Sequence, residues 1–598
     1  MQNESAASTI INNGQTTGED ELADFSTNRR VLLLSAMALA IGAFSGLVAY
    51  VLIWLIAAIT NLAFYHRLSA APAIPQGNQL GYWVVLVPVV GALIIGLMAR
   101  FGSEKIRGHG IPEALEAILL GRSRISPKVA ILKPLSSAIS IGTGGPFGAE
   151  GPIIMTGGAF GSIFAQQFHL SAAERKTLLV AGAAAGMSAV FATPVAAVLL
   201  AVELLLFEWK PRSFIPVAVA SIVASVVRVP LLGAGPIFPV IPHAPVSGTE
   251  LAIAAGLGIL AGFGSGLLTM LVYAFEDLFQ KLPLHWMWWP AIGAVFVGVG
   301  YDTIHSLLRG ELVGAAIVGL LVAKALVWSI ALGSGTSGGV LAPLLIIGGA
   351  LGALVGSWLP VGDVGLWALI GMAAMMGGTM RSPLTAMVFA VELTRDFNLF
   401  PALLIGSVAA MGVTVLLMRR SILTEKLARR GHHITREYSI DPFELARVRD
   451  VMDKNMPTIP ATMKLTELSD RIAAGDTNLN RRQGTLIVDE RNELAGIITR
   501  GDIVRALRLN EPENMTVAEA GSTNLTVAFP DEPLHAALTK MLHQDIGRLP
   551  VVERDNRKKI VGYLGRASIL SARMKIHEEE NILQKGWASQ HVVKIKPA

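Results

Sequence analysis

Apolar and polar positions divide the chain into a long apolar stretch and a shorter alternating one. Residues 31–63 (VLLLSAMALAIGAFSGLVAYVLIWLIAAITNLA) carry no charge. That exceeds the ~20 apolar residues a helix needs to cross a bilayer, and predicts a tilted span. Between residues 135 and 173 the only Asp, Glu, Lys or Arg is Glu150, and between 325 and 380 it is Asp363. Apolar segments continue to about residue 418. Some are long (31–63, 251–275), while others run about a dozen residues between Gly or Pro breaks. At 1.5 Å per residue the short ones cannot cross ~30 Å of hydrocarbon. Helices that stop inside a membrane occur only within protein or along a cavity. The pattern predicts an all-α polytopic membrane domain whose broken helices surround a pathway.

The apolar region repeats itself at an offset of 189 residues. Residues 182–204 (GAAAGMSAVFATPVAAVLLAVEL) and 371–393 (GMAAMMGGTMRSPLTAMVFAVEL) coincide at ten of 23 positions, among them Pro194 with Pro383 and Glu203 with Glu392. Repeated halves in membrane proteins usually build a pseudo-symmetric fold with the binding site where the halves meet. A glutamate kept in both copies points to a structural role.

After Arg430 the period changes. β-branched runs (TLIVDE, LAGIITRGD, LPVVE, KIVGYLGR) alternate with amphipathic helical stretches, twice, near 449–508 and 515–575. This predicts a soluble α/β unit. The expected map is a disordered cytoplasmic N-terminus at 1–28, a membrane domain at 29–430 and a linker at 431–446. Two α/β repeats at 447–510 and 511–575 and a tail at 576–598 complete it.

Composition sharpens the class. Of 598 residues 52% are hydrophobic and 16% charged, against roughly 25% charged in soluble chains. Residues 1–28 lack a basic start followed by a short apolar core, so the first span is expected to act as its own insertion signal. Arg29, Arg30, Arg122, Arg124, Lys128, Arg419 and Arg420 flank spans. The positive-inside tendency places these ends, with both termini, in the cytoplasm of a multi-pass cell-membrane protein. The absence of cysteine excludes disulfides and thiolate metal sites. The net charge of +5 comes with no interleaved aromatic and basic residues, and no nucleic-acid partner is expected. No histidine, His432-His433 included, has metal-ligand spacing, and neither metal nor enzymatic site is expected.

Three glycine-rich breaks each lead through proline into an apolar helix: Gly108-His109-Gly110-Ile111-Pro112, Gly148-Ala149-Glu150-Gly151-Pro152 and Gly339-Val340-Leu341-Ala342-Pro343. Proline is tolerated in a first helical turn, where its missing N–H has no partner anyway. Helix N-termini carry partial positive charge and free donors, so three converging would hold a small anion. No Lys or Arg lies in these segments. An ion held by dipoles alone can leave again, as permeation requires. Glu150 is an intramembrane acid at a helix start, and such residues are functional by default. Its carboxylate can occupy the anion's place and leave on protonation. His109 is either a pore ligand whose charge changes near neutral pH or a neutral ring bonded to local backbone.

GHGIPEA, GTGGPFGAEGP and GTSGGVLAP resemble, in order, the three signature segments of the CLC chloride channel and antiporter family, and the resemblance covers residues 31–430. It implies two inverted halves, a homodimer in the lipid bilayer with one pore per subunit, and chloride or another small anion as the transported species, with protons as a second one. It implies anion-binding positions at His109, Gly110, Ile111, Ala149, Gly151, Val340 and Leu341, with Glu150 as the gating and proton-carrying glutamate. The family more often has serine at His109, phenylalanine at Leu341 and a pore tyrosine at Leu423. The antiporters' internal proton glutamate falls on Leu204. Chloride preference and channel versus exchanger therefore stay open.

The two C-terminal repeats resemble paired CBS motifs. The first, Gly496-Ile497-Ile498-Thr499-Arg500-Gly501-Asp502, matches the family's nucleotide segment, which implies Thr499 and Asp502 as ribose ligands. The second, Gly562-Tyr563-Leu564-Gly565-Arg566-Ala567-Ser568, lacks both polar groups. A regulatory adenine nucleotide in one half is the only candidate cofactor, with a purely structural pair as the other reading. Two further classes are open to a chain with this division. A CBS-containing cation (for example magnesium) transporter needs acids clustered in its spans, and a membrane-anchored nucleotide sensor needs no glycine-lined breaks.

Overall fold

The computed structural model describes residues 29–75, 77–294, 302–431, 446–476, 479, 484–508 and 513–572. The expected disordered N-terminus, nearly all of the linker, His432-His433 and the C-terminal tail lie outside the described residues. The chain divides into two units at Arg430/Gly431.

The first unit is helical. Its first half holds α1 (Arg30–Tyr65), α2 (Leu86–Phe101), α3 (Ile111–Leu119), α4 (Pro127–Gly142), α5 (Glu150–Ala165), α6 (Ala172–Phe191), α7 (Pro194–Leu200) and α8 (Pro211–Leu232). The second holds α9 (Gly248–Gln280), α10 (Trp289–Gly293), α11 (Asp302–Leu308), α12 (Ala315–Gly333), α13 (Leu341–Gly356), α14 (Val364–Met380), α15 (Pro383–Thr394) and α16 (Phe400–Leu417). The short α17 (Ile422–Arg429) follows. Six stretches among the described residues are long and apolar enough to cross a membrane, and α13, α14 and α15 belong to the shorter apolar class.

Matched packing runs through both halves. Helix α1 lies on α8 and α5 on α6; likewise α9 lies on α16 and α13 on α14. Helices in lipid lack a hydrophobic drive toward one another and pack through small residues that let backbones touch. Gly157 and Gly161 of α5 do this: a Cβ on either would stand 2.2 Å from the carbonyl oxygens of Gly182 and Leu178. Gly348 and Gly352 of α13 take the same part, at 2.4 Å from Gly371 O and 2.0 Å from Trp367 O.

In the second unit, α18 (Val448–Val451), β1 (Thr458–Pro460), α19 (Leu465–Ala473), β2 (Gly484–Val488), β3 (Leu494–Thr499) and α20 (Arg500–Ala506) precede α21 (Val517–Ala520), α22 (Leu534–His543), β4 (Arg548–Val552) and β5 (Ile560–Gly565). Strand β2 pairs with β1 in parallel and with β3 antiparallel, and β4 pairs with β5 antiparallel. The cores do not follow the linear division at 510/511. Val448 is buried with Leu534, Leu549 and Val551 of the second copy, while Val517 is buried with Ile459, Leu465 and Ile487 of the first. Backbone bonds fix the exchange: Val448 N–H donates to Glu532 O, and Val517 N–H donates to Met463 O. A repeat this small buries little apolar surface by itself, and trading its opening turn enlarges both cores.

Candidate functional site

Two helix N-termini from opposite halves face each other at Glu150, the first residue of α5, and Leu341, the first of α13. The loops before them are stitched by Gly339 N–H donating to Gly148 O at 2.8 Å. Glu150 is fully buried, and its Oε1 accepts the Ala342 N–H at 2.8 Å. The bare backbone makes room for the carboxylate: a Cβ on Gly148 or Gly339 would lie 2.1 Å from it, and one on Gly339 also 2.5 Å from Gly148 O. The first N–H groups of a helix have no partner within it. The carboxylate of one half therefore caps the helix of the other.

The first segment closes against this pair. Gly110 precedes α3 with φ +93°, and a Cβ on Gly151 would meet His109 O at 1.7 Å. Ile111 opens α3 and is fully buried. Ala149 and Val340 are the residues that precede α5 and α13. The Gly110 N–H donates to the Glu113 carboxylate at 2.9 Å. The glycine's part is close approach. The donor that meets Glu150 belongs to Ala342, one residue beyond Val340 and Leu341. Side-chain acceptors bond the second or third N–H of a helix, and that rule points to Ala342 once the helix start is known.

His109 is 3% exposed, and its Nδ1 has no hydrogen-bond partner among the described residues. A local backbone bond at that nitrogen is thus absent. The ring borders a cavity of about 500 Å³ shared with Arg107, Glu113, Tyr273, Trp289 and Lys426. Glu113 pairs with Lys426 at 2.9 Å, tying α3 to α17. Leu423 is buried within α17, and an aromatic hydroxyl arrives from elsewhere: Tyr273 of α9 donates to Ile422 O at 2.5 Å. An isolated tyrosine in a long apolar span gave no sequence signal of this.

Lys133 is another residue that sequence reading missed. It is fully buried on α4 and donates to Ile106 O (2.9 Å), Gly108 O (2.7 Å) and Ser337 Oγ (3.0 Å). It fastens the first segment to the loop before the third.

Leu204 is fully buried in a π-helical turn, 201–206. Glu203 beside it accepts Thr385 N–H (2.9 Å) and Thr385 Oγ1–H (2.5 Å) at the start of α15. Its repeat mate Glu392 accepts Val195 N–H (3.0 Å) and Ala196 N–H (2.8 Å) at the start of α7. Each half caps a helix of the other.

In the second unit Thr499 caps α20. Its N–H and Oγ1–H donate to Asp502 Oδ2 at 2.9 and 2.7 Å, and Arg505 pairs with Asp502 Oδ1 at 2.5 Å. Both nucleotide candidates are engaged locally.

Comparison with known proteins gives matching results. The voltage gated chloride channel family matches residues 90–415, and the CBS domain matches residues 448–509 and 517–575. A voltage-gated ClC-type chloride channel ClcB of Escherichia coli O81 is 30% identical over 366 residues, 58% of this chain and 87% of that one. The crystal structure of a slow cyanobacterial Cl-/H+ antiporter superposes with a TM-score of 0.60 at 21% identity, covering 68% of this chain and 99% of the other. That of a eukaryotic CLC transporter superposes with a TM-score of 0.60 at 20% identity, covering 90% and 98%.

Proposed function

We propose that this chain, which belongs to the voltage-gated chloride channel family, passes small anions, chloride foremost, across a membrane through the site where α3, α5 and α13 begin. The observation that carries the mechanism is the bond from Ala342 N–H to the Glu150 carboxylate. A carboxylate and a permeating anion ask for the same thing there, a helix-start N–H and the positive end of a dipole. They exclude each other. The dipole alone favours the carboxylate by roughly 0.3–2 kcal/mol, small enough for protonation to free the site.

Proton exchange is the finer question. The slow cyanobacterial protein of the same fold is named a Cl-/H+ antiporter. Here Leu204 carries no ionisable group, and Glu203 is committed to Thr385. This supports weak proton coupling or none. A homodimer is the proposed assembly, with both termini cytoplasmic. For the CBS pair we propose weak, one-sided adenine-nucleotide binding, since a ribose has to displace Thr499 and Arg505 from Asp502.

The test is anion flux from proteoliposomes with Cl⁻, F⁻, NO₃⁻ and Br⁻ in turn, on wild type and Glu150→Gln. The variant should pass anions without dependence on external pH, and both proteins should reverse near the anion equilibrium potential. Full pH dependence in Glu150→Gln shows that the carboxylate is not the gate. A wild-type reversal potential far from the anion value, restored by Glu150→Gln, refutes weak coupling.

A further inference from the structure

Arg107 carries hydrogen-bonding capacity that the chain does not use. It stands one residue before the first glycine-rich segment and lines the cavity of about 500 Å³ that His109 borders. A guanidinium has five N–H donors in a planar fork. One end is spent, since Nη1 donates to Glu104 Oε1 at 3.2 Å. One face is covered: the guanidinium carbon lies 4.5 Å from the centre of the Trp286 ring and 5.8 Å from that of Trp289. A cation within about 6 Å of a tryptophan ring is attracted to it. The other edge is open. The Glu104 bond is the only side-chain hydrogen bond of Arg107 among the described residues, and Nε is buried without a partner there.

Nε–H and the adjacent Nη2–H point the same way and form an edge that meets two oxygens of one planar anion. Gly335, in the loop before α13, makes room beside this edge: its φ is +84°, and a Cβ there would stand 2.7 Å from Nη2. Most carboxylates of the wall are engaged elsewhere. Glu113 pairs with Lys426 and accepts the Gly110 N–H, and Glu116 pairs with Arg430. Glu276 of α9 also lines the cavity and has no ion pair among the described residues. A buried donor left unpaired costs the desolvation of that group. The cavity falls within the roughly 300–1,000 Å³ of small-ligand sites, so it admits an acceptor at this edge.

We infer that the Nε/Nη2 edge of Arg107 is an oxyanion-binding site in this cavity. It retains planar anions with two acceptor oxygens, nitrate or the carboxylate of a small organic acid, in preference to spherical halides. A halide places one atom where a nitrate or carboxylate places two, so it cannot meet both N–H groups along their axes. Lysine keeps the charge but acts as a point donor, and Arg107→Lys therefore separates the fork from the charge. The inference goes beyond the anion-site reading above and stands on other atoms than the Glu150 carboxylate and the Ala342 N–H.

The experiment is calorimetric titration of the full-length protein with nitrate, acetate and bromide, each in saturating chloride so that the Glu150 site is already held. Wild type, Arg107→Lys and Glu276→Gln are compared, with chloride flux from proteoliposomes measured alongside. Wild type should bind nitrate and acetate, and bromide more weakly than either by roughly tenfold, the order of one charge-assisted hydrogen bond. Arg107→Lys should lose that preference. Glu276→Gln, relieved of a like charge, should bind both oxyanions more tightly. Binding of nitrate alone assigns the site to the inorganic ion and binding of acetate alone to organic acids, and either supports the site. A wild type with no preference over bromide overturns it. So does an Arg107→Lys protein that elutes and melts like wild type and keeps the preference. If Arg107→Lys misfolds, Glu276→Gln decides: unchanged oxyanion affinity places the ligand away from this cavity and overturns the inference. Oxyanion binding without chloride flux removes the anion-transport reading and leaves this one, and flux without that binding does the reverse.

Discussion

At the scale of single residues, His109 and Glu150 stand differently in the site. Glu150 is buried against a donor from the other half, whereas His109 lines the cavity and its buried Nδ1 has no hydrogen-bond partner among the described residues. A hydrogen bond to a charged partner is worth roughly 1.5–3 kcal/mol. With its proton on Nδ1, His109 can donate such a bond to an anion, and the geometry of that contact differs between spherical and planar ions. His109→Ser should change the relative permeabilities of F⁻, Cl⁻, Br⁻ and NO₃⁻ by roughly tenfold for at least one ion. Bi-ionic reversal potentials give the measurement, and an unchanged order would place the ring off the anion path.

Among elements, the reciprocal caps stand out. Glu203 serves α15 and Glu392 serves α7, which accounts for a glutamate recurring at the same place in both halves. The sequence suggested a structural role, and the bonds state what it is. Removing an acceptor from helix-start N–H groups shielded from water costs about 1–3 kcal/mol. Glu392→Ala should therefore lower the thermal midpoint of the detergent-solubilised protein, and Glu392→Gln, which keeps one acceptor oxygen, should lower it less. Equal melting of wild type and Glu392→Ala would deny the cap its weight. The same helices expose apolar side chains where they start: Val195 is 55% and Leu384 41% exposed. Helices α7 and α15 have 7 and 12 residues, too short to span a bilayer, and their exposed ends fit a subunit interface. Light scattering should give twice the 63.3 kDa chain mass for wild type. Val195→Glu should give the single chain, and a monomeric wild type would end the dimer proposal.

On the scale of the whole molecule, the two units ask for separate tests. Titrating the full-length protein with ATP, ADP or AMP at millimolar concentration should give weak heat that Asp502→Ala abolishes. No heat in wild type would leave the CBS pair a scaffold. Much of the molecule was legible beforehand. Charge-free runs identified the membrane unit, glycine before proline marked the three helix starts, and a lone carboxylate identified Glu150. The change of period after Arg430 announced the α/β pair. Such features are local, because composition and spacing decide which solvent a segment tolerates and where a helix begins. What tertiary structure alone decided lies between distant residues. Ala342, 192 residues from Glu150, is the donor that meets it. Gly110's donor turned out to be taken by Glu113, Tyr273 reached Ile422 from another helix, and Val448 and Val517 crossed into each other's cores. Lys133 looks like an ordinary residue of an apolar helix until packing buries it against the first segment. A linear pattern encodes which solvent a segment tolerates, and only the packing of the halves decides which residue is buried and against what partner.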